Sequence, residues 1–282
     1  MIIDSHCHAW AYWPYDPPVP DGDSRGRVEQ LLNEMDVNGV DQALIVCAQI
    51  EHNPENNGYV AEQITRYPER LHMAADVDCA WSDTYHQPGA ARRLQKAAER
   101  WPLKAFTHYL RGEDDASWLY SDEGLAFLQI AHEKKLIASI AGGPQHWAAV
   151  RVVAQQFPDI PFLLHHLAGA RADQPDKWPE ILACAQVPNI YIKLSGFHYG
   201  TAGSRWDFPY SDVQSIVQAE YDAFGPDRMC WGSDYPVVGL FMTHRQSLEA
   251  FRTHCDFVPE REQARILGEN LHKLLAGAGT FR

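Results

Sequence analysis

The sequence has few positive charges, and this shortage excludes several kinds of partner. Its 24 lysines and arginines are outnumbered by 37 aspartates and glutamates, which gives a formal net charge of −13. Nucleic acids and anionic membrane surfaces both require a basic patch, so neither is an expected partner. The chain also lacks any run of about 18 apolar residues, the usual minimum for a membrane-spanning helix. These absences favour a small-molecule partner, including an anion if a few basic side chains line its pocket.

Cysteine patterns typical of disulfide frameworks or zinc sites are absent too. The sequence has no Cys-x-x-Cys pair, and its six cysteines are Cys7, Cys47, Cys79, Cys184, Cys230 and Cys255. Cysteines scattered in this way are typical of reduced thiols in the cytosol. Asp4 and His6 interrupt the first apolar stretch almost at once, so we expect no signal peptide. The sequence therefore predicts a cytoplasmic protein.

What the chain does have is a regular alternation of short apolar runs and longer amphipathic segments. Eight runs are predicted to be strands: Ile2–His8, Gln42–Ala48, Leu71–Val77, Leu103–His108, Leu136–Ala141, Pro161–His166, Ile190–Ser195 and Arg228–Ser233. The predicted helices are Arg25–Val37, Asn57–Tyr67, Gly89–Arg100, Asp122–Lys134, Gln145–Phe157, Pro179–Gln186, Ser211–Phe224, Thr243–Cys255 and Glu260–Leu275. Strands that alternate with helices of about 10–15 residues indicate βαβ units and a parallel sheet.

Prolines mark five of the joints between a helix and the next strand. Proline ends helices because it lacks an N–H and disfavours helical geometry in the residue before it. The five are Pro68, Pro102, Pro158, Pro188 and Pro226. Such repetition predicts an α/β protein, a (β/α)8 TIM barrel that forms one domain over residues 1–282. A doubly wound open sheet is the alternative, but no Gly-x-Gly-x-x-Gly or phosphate-binding loop follows any strand.

Polar side chains concentrate at the carboxyl ends of the predicted strands, where the active site of a barrel lies. In the first strand, His6 and His8 project from the same face because successive side chains alternate. The later strands end in further candidates, which are His108, Arg111, His165, His166, Lys193, Ser195 and Asp234. The same alternation predicts that at most one of His165 and His166 reaches the lumen. Asp4, on the face of His6, is expected to hold strand ends together.

Several of these residues also have a purely structural interpretation. Lys193 can be an interior cation paired with a carboxylate, and Arg111 can simply be solvated. Asp234 can cap a helix or form a turn before Pro236. His108 is open to either interpretation. Three aromatic-rich segments follow the first, seventh and eighth strands and are expected to form a pocket wall or a lid: Ala9–Ser24, Gly196–Tyr210 and Tyr235–Met242.

Four motifs together resemble the amidohydrolase-2 family of the amidohydrolase superfamily. They are His-x-His after an opening Ile-Asp, Leu-Leu-His-His-Leu-Ala-Gly, Ile-Lys-Leu-Ser-Gly and Trp-Gly-Ser-Asp-Tyr-Pro-Val, in that order. The most similar branch is that of the lactonases, which includes sugar lactonases and 2-pyrone-4,6-dicarboxylate lactonase. This resemblance implies a distorted (β/α)8 barrel whose site is formed by His6, His8, His166 and Asp234, with Asp234 as general base.

Metal-dependent members of the superfamily place a further histidine at the end of the fifth strand, and this sequence departs from that pattern. Its fifth strand reads Leu-Ile-Ala-Ser-Ile-Ala-Gly-Gly, His146 lies several residues beyond it, and Lys104 stands at the start of the fourth strand. His6, His8 and Asp234 remain as candidate ligands, and catalytic zinc commonly has three protein ligands. The resemblance therefore implies a lactonase that requires no metal, although zinc or another divalent ion can occupy the His-x-His site.

The expected reaction is hydrolysis of a sugar-acid or carboxylated lactone in carbohydrate or aromatic-acid catabolism. Asp234 would take a proton from the attacking water and return it to the leaving oxygen, while the imidazoles, helped by Lys193, stabilise the oxyanion. Side chains expected to bind or shape the substrate are Arg111, His108, Lys193, Trp10, Tyr12, Tyr199 and Trp206, with Arg171 and Arg205 as further cations at the mouth. The alternatives are a metal-dependent decarboxylase or hydratase, a lactone isomerase and, least favoured, a binding barrel without catalysis.

Overall fold

Eight parallel strands form one sheet in which each strand pairs with the next along the chain. The computed structural model describes residues 1–16 and 18–279. The strands are β1 (Ile3–Cys7), β2 (Gln42–Val46), β3 (Leu71–Asp76), β4 (Leu103–Tyr109), β5 (Ile137–Ala141), β6 (Phe162–Leu164), β7 (Ile190–Leu194) and β8 (Met229–Trp231). A parallel bridge between Cys7 and Tyr235 connects the segment after β8 to β1. The sheet is therefore a nearly closed barrel, and the predicted (β/α)8 fold is confirmed.

Helices connect the strands and cover the outside of the barrel. They are α1 (Val28–Asn38), α2 (Asn56–Arg66), α3 (Ala90–Arg100), α4 (Asp122–Glu133), α5 (Trp147–Gln156), α6 (Trp178–Leu182), α7 (Phe197–Gly200), α8 (Gln214–Phe224), α9 (His244–Arg252), α10 (Glu260–Ala264) and α11 (Asn270–Gly277). The predicted helix Glu260–Leu275 is divided, because a π-helical turn over Arg265–Glu269 separates α10 from α11. In the part of the chain that the structure describes, no helix is long and apolar enough to cross a membrane.

Strands β6 and β8 end earlier than the sequence pattern predicts. After β6, His166, Leu167 and Ala168 adopt positive φ angles of 50°, 53° and 49°, which are incompatible with an extended strand. After β8, Gly232 passes so close to β1 that a Cβ atom there would lie 2.8 Å from His6 Cβ. Both departures occur at the carboxyl end of the barrel, where the chain leaves strand geometry to position side chains over the lumen.

The lumen holds apolar side chains at its amino end and polar ones at its carboxyl end. The apolar cluster contains small and branched residues: Ile3, Leu44, Val46, Ala74, Ala105, Ile137, Leu163 and Cys230. Leu271 and Leu275 of α11 pack onto it. Nearby, Lys104 at the start of β4 donates to the carbonyl oxygen of Ala278 at 2.7 Å. A larger apolar layer lies between strands and helices, and all six cysteines are buried and free.

Candidate active site

One carboxylate and three imidazoles meet at the carboxyl end of the barrel. Asp234 Oδ1 lies 3.6 Å from Nε2 of His6 and 3.6 Å from Nε2 of His8. Nε2 of His166 lies 3.9 Å from the same oxygen. Asp234 is only 1% exposed. The four residues that the family resemblance implied for the site are therefore neighbours in space, although β1, β6 and β8 carry them separately.

The backbone around Asp234 fixes the direction of its carboxylate. Asp234 has a φ of 62°, in the left-handed region that aspartate tolerates better than most residues. Its N–H donates to the carbonyl oxygen of His6 at 2.7 Å. The hydroxyl of Tyr199 donates to Oδ2 at 3.0 Å. Oδ2 is thus engaged by Tyr199, whereas Oδ1 faces the three imidazoles.

Burial and mutual contact shift the pKa values of this cluster. Burial acts to raise the pKa of Asp234, but His166 and His8 outweigh it, so the pKa of the carboxyl lies below its usual value. Burial lowers the pKa of His166 to about 4. Burial, followed by the neighbouring His166 and His165, lowers the pKa of His6 well below its usual value. At neutral pH the site therefore contains an ionised carboxylate beside neutral imidazoles at positions 6 and 166.

The expectation that at most one of His165 and His166 reaches the lumen is wrong. The ring centroids of both residues lie 4.4 Å from that of His6. Strand alternation does not apply here because β6 ends at Leu164 and His166 has left-handed backbone geometry. His166 Nδ1 lies 3.0 Å from Ser195 Oγ. The turn after β6 therefore directs two consecutive histidines towards the same space.

His8 is held from two sides. Its Nδ1 lies 2.7 Å from the carbonyl oxygen of Val46, which can only accept, so Nδ1 carries a proton, and Nε2 has a free lone pair whenever the ring is neutral. Trp10 is fully buried and stacks on the His8 ring at a centroid distance of 4.8 Å and an angle of 9°. The Trp10 indole N–H donates to the carbonyl oxygen of Ala48 at 3.2 Å. Trp10 therefore packs against one face of the His8 ring and restricts its orientation.

Lys193 lies inside the lumen, beneath the imidazoles. Its Nζ donates to Ser139 Oγ at 2.7 Å and lies 3.4 Å from His6 Nδ1. Burial lowers the pKa of Lys193 to about 7. Among the residues with described positions, no carboxylate lies within 4.0 Å of Nζ. The alternative interpretation of Lys193, an interior cation paired with a carboxylate, is therefore wrong.

Asp4 connects strand ends, as expected, but not from the face of His6. Its Oδ1 accepts from the backbone N–H groups of His6 and Ser233 at 3.0 and 2.9 Å. Its Oδ2 lies 3.8 Å from His244 Nε2 on α9. The pairing register of β1 shifts between Asp4 and Cys7, and this irregularity separates the direction of Asp4 from that of His6.

Two of the predicted substrate-binding residues lie apart from Asp234. His108 is buried, and its Nε2 is 3.2 Å from Nε2 of His86. Its ring lies near Trp118, with a centroid distance of 5.6 Å. Arg111 is exposed, and its guanidinium lies 4.4 Å from the ring centroid of Tyr85. The alternation along β4 directs His108 away from the lumen, on the same side as the core residue Phe106.

The predicted substrate-binding side chains on the loops at the carboxyl end of the barrel lie at different distances from Asp234. Trp206 is 68% exposed and packs beside Phe241 at a ring distance of 5.6 Å. The guanidinium of Arg205 lies 5.7 Å from the ring centroid of Tyr199. Arg171 is paired with Asp173 at 2.9 Å. Tyr12 is also exposed and lies near His52. Of this group, Arg205 has the most direct connection to the carboxylate, through Tyr199.

Sequence reasoning missed His198 and Ser139. His198 Nε2 lies 3.8 Å from Asp234 Oδ2, and the buried ring stacks on Phe241 at 4.7 Å. The signal available for His198 was its position three residues after Ser195, on the aromatic-rich seventh loop. Ser139 sits in the middle of an apolar strand, and its only signal was that it is the sole polar residue of that strand.

A cavity of about 270 Å³ opens beside the imidazoles. Its lining consists of Ala141, Gly142, His165, His166, Gly169, Ala170, Arg171 and Tyr199. A concave site of this size, with convergent polar groups at one wall, accommodates a small cyclic molecule. The arrangement can hold a water near the carboxylate and place a carbonyl beside the imidazoles.

Two overlapping sets of donors in the site fit a metal ion. The nitrogens and carboxylate oxygen of His6, His8 and Asp234 lie within 4.8 Å of one another, and so do nitrogens of His6, His165 and His166. Imidazole nitrogens and a carboxylate oxygen are ligands that zinc accepts. His6 Nε2 is buried without a hydrogen-bond partner among the described residues. The first set is the one predicted from the sequence.

Known proteins share both the sequence pattern and the fold. A model of the amidohydrolase family matches residues 3–276. An L-fucono-1,5-lactonase from Burkholderia ambifaria is 26% identical over 287 residues, which cover 95% of this chain and 93% of the relative. The solved structure of an amidohydrolase from Burkholderia multivorans with bound zinc has a TM-score of 0.79 at 19% identity, and the match covers 98% of this chain and 99% of that one. A probable 2-pyrone-4,6-dicarboxylic acid hydrolase from Acinetobacter baumannii reaches 0.76 at 17% identity with the same coverage.

Proposed function

The chain belongs to the amidohydrolase family, and we propose that it is a hydrolase that opens the ring of a small lactone. The observation that carries this proposal is the position of Asp234 Oδ1, 3.6 Å from Nε2 of both His6 and His8. His166 and Tyr199, which also contact Asp234, line the adjacent cavity. The relative named L-fucono-1,5-lactonase, which the chain matches over nearly its whole length, supports a lactone as substrate.

The proposed chemistry begins with a water beside Asp234. Oδ1 takes a proton from this water while the water oxygen forms a bond to the lactone carbonyl carbon. Negative charge develops on the carbonyl oxygen, and imidazole N–H groups of His6 and His166 stabilise it. The carbonyl then re-forms as the bond to the ring oxygen breaks, and Asp234 gives its proton to that oxygen. The product is an open-chain hydroxy acid.

The electrostatics of the cluster suit this sequence of proton transfers. Asp234 must be ionised to act as a base, and His166 and His8 hold its pKa below the usual value against the effect of burial. Tyr199 donates to Oδ2 and leaves Oδ1 free to accept. A lactone is a reactive electrophile because its leaving group is an oxygen and it lacks amide resonance. A carboxylate base and imidazole donors are therefore sufficient to catalyse its hydrolysis.

A divalent ion such as zinc also fits the donor set around Asp234. His6, His8 and Asp234 would hold it. When bound, such an ion would polarise a carbonyl or acidify a water. The steps above are assigned to the side chains of this chain alone.

We further propose a neutral or singly charged lactone, of a sugar acid or a carboxylated ring. The cations near the cavity are few, and Arg171 is already paired with Asp173. Recognition of several carboxylates requires several free guanidinium or ammonium groups. Hydroxyl and carbonyl groups of the substrate match the imidazoles, Tyr199 and Ser195.

The direct test is a panel of aldonolactones assayed with a pH indicator, because ring opening releases an acid. We expect the wild-type protein to open at least one lactone and Asp234→Asn to lower kcat by about 10²–10⁴-fold, the usual contribution of a general base. Asn keeps the size of the side chain and its acceptor for Tyr199. Asp222→Asn, which removes an exposed carboxylate from α8, is the matched control. Near-wild-type turnover by Asp234→Asn would contradict the proposal, as would a wild type that opens no lactone.

A further inference from the structure

A buried lysine contacts the imidazole cluster from below through two routes. Lys193 Nζ lies 3.4 Å from His6 Nδ1 and donates to Ser139 Oγ at 2.7 Å. Ser139 Oγ lies in turn 2.6 Å from Nε2 of His165. We propose that Lys193 is a positioning residue that makes His6 and His165 present N–H donors within the imidazole cluster. The consequence for turnover rests on the lactonase function proposed above, whereas the proton positions do not.

The first route fixes the proton of His6. A lysine ammonium has three N–H donors and no acceptor, enough for Ser139 and His6 together. As an ammonium, Nζ can only donate to His6 Nδ1, 3.4 Å away, so that nitrogen accepts with its lone pair. A neutral imidazole carries one proton, so the proton of His6 lies on Nε2. This is the nitrogen that faces Asp234 Oδ1 at 3.6 Å.

The second route fixes the proton of His165 through a hydroxyl. Ser139 Oγ accepts from Lys193, so its own hydrogen is free to donate to Nε2 of His165. The proton of His165 is then on Nδ1. That nitrogen is buried, and no partner for it exists among the described residues. Its ring lies 4.4 Å from the ring of His6. One amine thus directs two imidazole N–H groups towards one region of the site.

His8 has the opposite arrangement, although only one residue separates it from His6. Its Nδ1 donates to the carbonyl oxygen of Val46 at 2.7 Å, so in the neutral ring its Nε2 is an acceptor. The two histidines of the His-x-His motif therefore differ in chemistry: His6 donates and His8 accepts. A donor suits the developing oxyanion of a lactone, and an acceptor beside Asp234 suits the water that attacks it.

The same arrangement opposes metal binding at His6. A ligating nitrogen must offer its lone pair, and binding a metal requires that any proton on that nitrogen leave. With Lys193 donating to Nδ1, His6 Nε2 holds the proton of the ring. A metal ion at this position must therefore displace the proton or the lysine contact. Loss of the lysine donor frees His6 to place its proton on Nδ1 and to ligate through Nε2.

The test begins with the tautomers themselves. In protein containing 15N-labelled histidine, long-range couplings between ring nitrogens and ring protons report which nitrogen is protonated. We expect wild-type His6 to carry its proton on Nε2 and Lys193→Met to lose that preference. Lys104→Met removes a lysine at the other end of the barrel and should leave His6 unchanged. A wild-type His6 with its proton on Nδ1, or an unchanged His6 in Lys193→Met, overturns the proposal.

Zinc affinity gives a second readout that needs no lactone. By equilibrium dialysis, we expect Lys193→Met to bind zinc about 10- to 100-fold more tightly than wild type and Lys104→Met, the size of effect that hydrogen-bond partners of ligating histidines produce. Equal affinities would overturn the proposal. Since neither readout depends on lactone hydrolysis, a failure of the proposed function leaves both interpretable.

Ser139→Ala separates the direct contact of Lys193 with His6 from the route through Ser139 to His165. It also provides a test of the proposal if Lys193→Met does not fold. This variant should change the tautomer of His165 while His6 keeps its proton on Nε2, and a change at His6 alone would contradict the assignment. With a lactone substrate, Lys193→Met should lower kcat by up to about 10²-fold with little change in KM, because the lost donor acts on charge that develops only in the transition state.

Discussion

The two carboxylate oxygens of Asp234 have different neighbours, and in the proposed mechanism each has a separate role. Oδ2 accepts from the Tyr199 hydroxyl and lies 3.8 Å from His198. Oδ1 faces His6, His8 and His166 at 3.6 to 3.9 Å. A carboxylate held by one oxygen keeps a fixed orientation and offers the other oxygen as a base.

At this scale, we expect Tyr199→Phe to move the acid limb of the kcat/KM pH profile to higher pH. The Tyr199 hydroxyl donates to the ionised carboxylate, so its loss destabilises the charged form and raises the pKa of Asp234. Asp234 must be ionised to act, so activity at low pH falls first, while activity near neutral pH changes less. Tyr120→Phe, at a tyrosine that is 47% exposed, is the control. An unshifted acid limb would show that Tyr199 does not act on the charge of Asp234.

Single residues also show where sequence reasoning succeeded and where it failed. His6 and His8 could be placed together because they are two residues apart on one strand. The joint position of His165 and His166 could not, because it depends on three consecutive residues with left-handed geometry after β6. His198 was missed for a related reason, since the short helix α7 follows Gly196 with a φ of 66°. Neither turn has a local pattern that predicts its direction.

At the scale of elements, the segment that follows β8 lies tightly against β1. A Cβ added at Gly232 would lie 2.8 Å from His6 Cβ and 2.9 Å from His6 N. We therefore expect Gly232→Ala to destabilise the protein by about 1–3 kcal/mol, the usual cost of overpacking, and to impair turnover by displacing His6. Denaturant unfolding measures the first effect.

Gly239→Ala is the matched control for this contact. A Cβ at Gly239 meets nothing within 4 Å, so this change should alter the free energy of unfolding by less than about 0.5 kcal/mol. Equal stability of the two alanine variants would show that β8 can move away from β1 at little cost.

A second element, α8, carries a buried carboxyl group whose effect on the stability of the folded protein depends on pH. Glu220 is 1% exposed, and neither of its oxygens has a hydrogen-bond partner among the described residues. Trp178, Ile181 and Ile216 surround it. Burial raises the pKa of Glu220 well above its usual value. The folded protein therefore binds a proton that the unfolded chain has already released, and stability falls as pH rises above the unfolded pKa of about 4.3.

From this sign we expect Glu220→Gln to match the wild type in acid and to become progressively more stable than it as pH rises. The difference should grow by about 1.4 kcal/mol per pH unit until the folded pKa is reached. Thermal unfolding of both proteins across pH measures it. Glu62→Gln, at an exposed position of α2, should show no such trend. A constant difference for Glu220→Gln would mean that this carboxyl is ionised in the folded protein.

The elements themselves were largely predictable because each obeys a local rule. Amphipathic period and prolines placed every strand and most helices within a few residues. The ends of β6 and β8 differ because they depend on contacts with segments distant in sequence, as the close approach of Gly232 to His6 on the neighbouring β1 shows. The π-helical turn at Arg265–Glu269 likewise depends on tertiary packing, because Gly268 lies against the backbone of Met1.

For the whole molecule, the fold class and the family resemblance are confirmed, because both depend on patterns that repeat along the chain. The grouping of Asp234 with His6, His8 and His166 was predictable, and its surroundings were less so. Asp234 and three histidines belong to motifs, whereas His108 and Arg111 were proposed only from their position after β4. The direction of each side chain on β4 depends on the register of the closed barrel. That register places His108 on the side of the strand that faces the helices.

Metal removal is a prediction about the intact molecule. We expect chelator treatment to leave lactone turnover largely unchanged, because the proton that Lys193 directs to His6 Nε2 opposes ligation and the carboxylate base needs no ion. The measurement is kcat before and after dialysis against EDTA, with metal content determined in both samples. Abolished turnover that zinc restores would contradict it and would assign the chemistry to an ion held by His6, His8 and Asp234.

The apolar cluster at the amino end of the lumen has a kinetic consequence. Leu271 and Leu275 pack against buried strand residues there, so among the described residues apolar side chains fill the lumen at that end. In the proposed reaction, substrate would enter and product would leave at the carboxyl end. A product that departs slowly would then delay the next substrate, and changes in the loops at that end should alter kcat even where they do not contact Asp234.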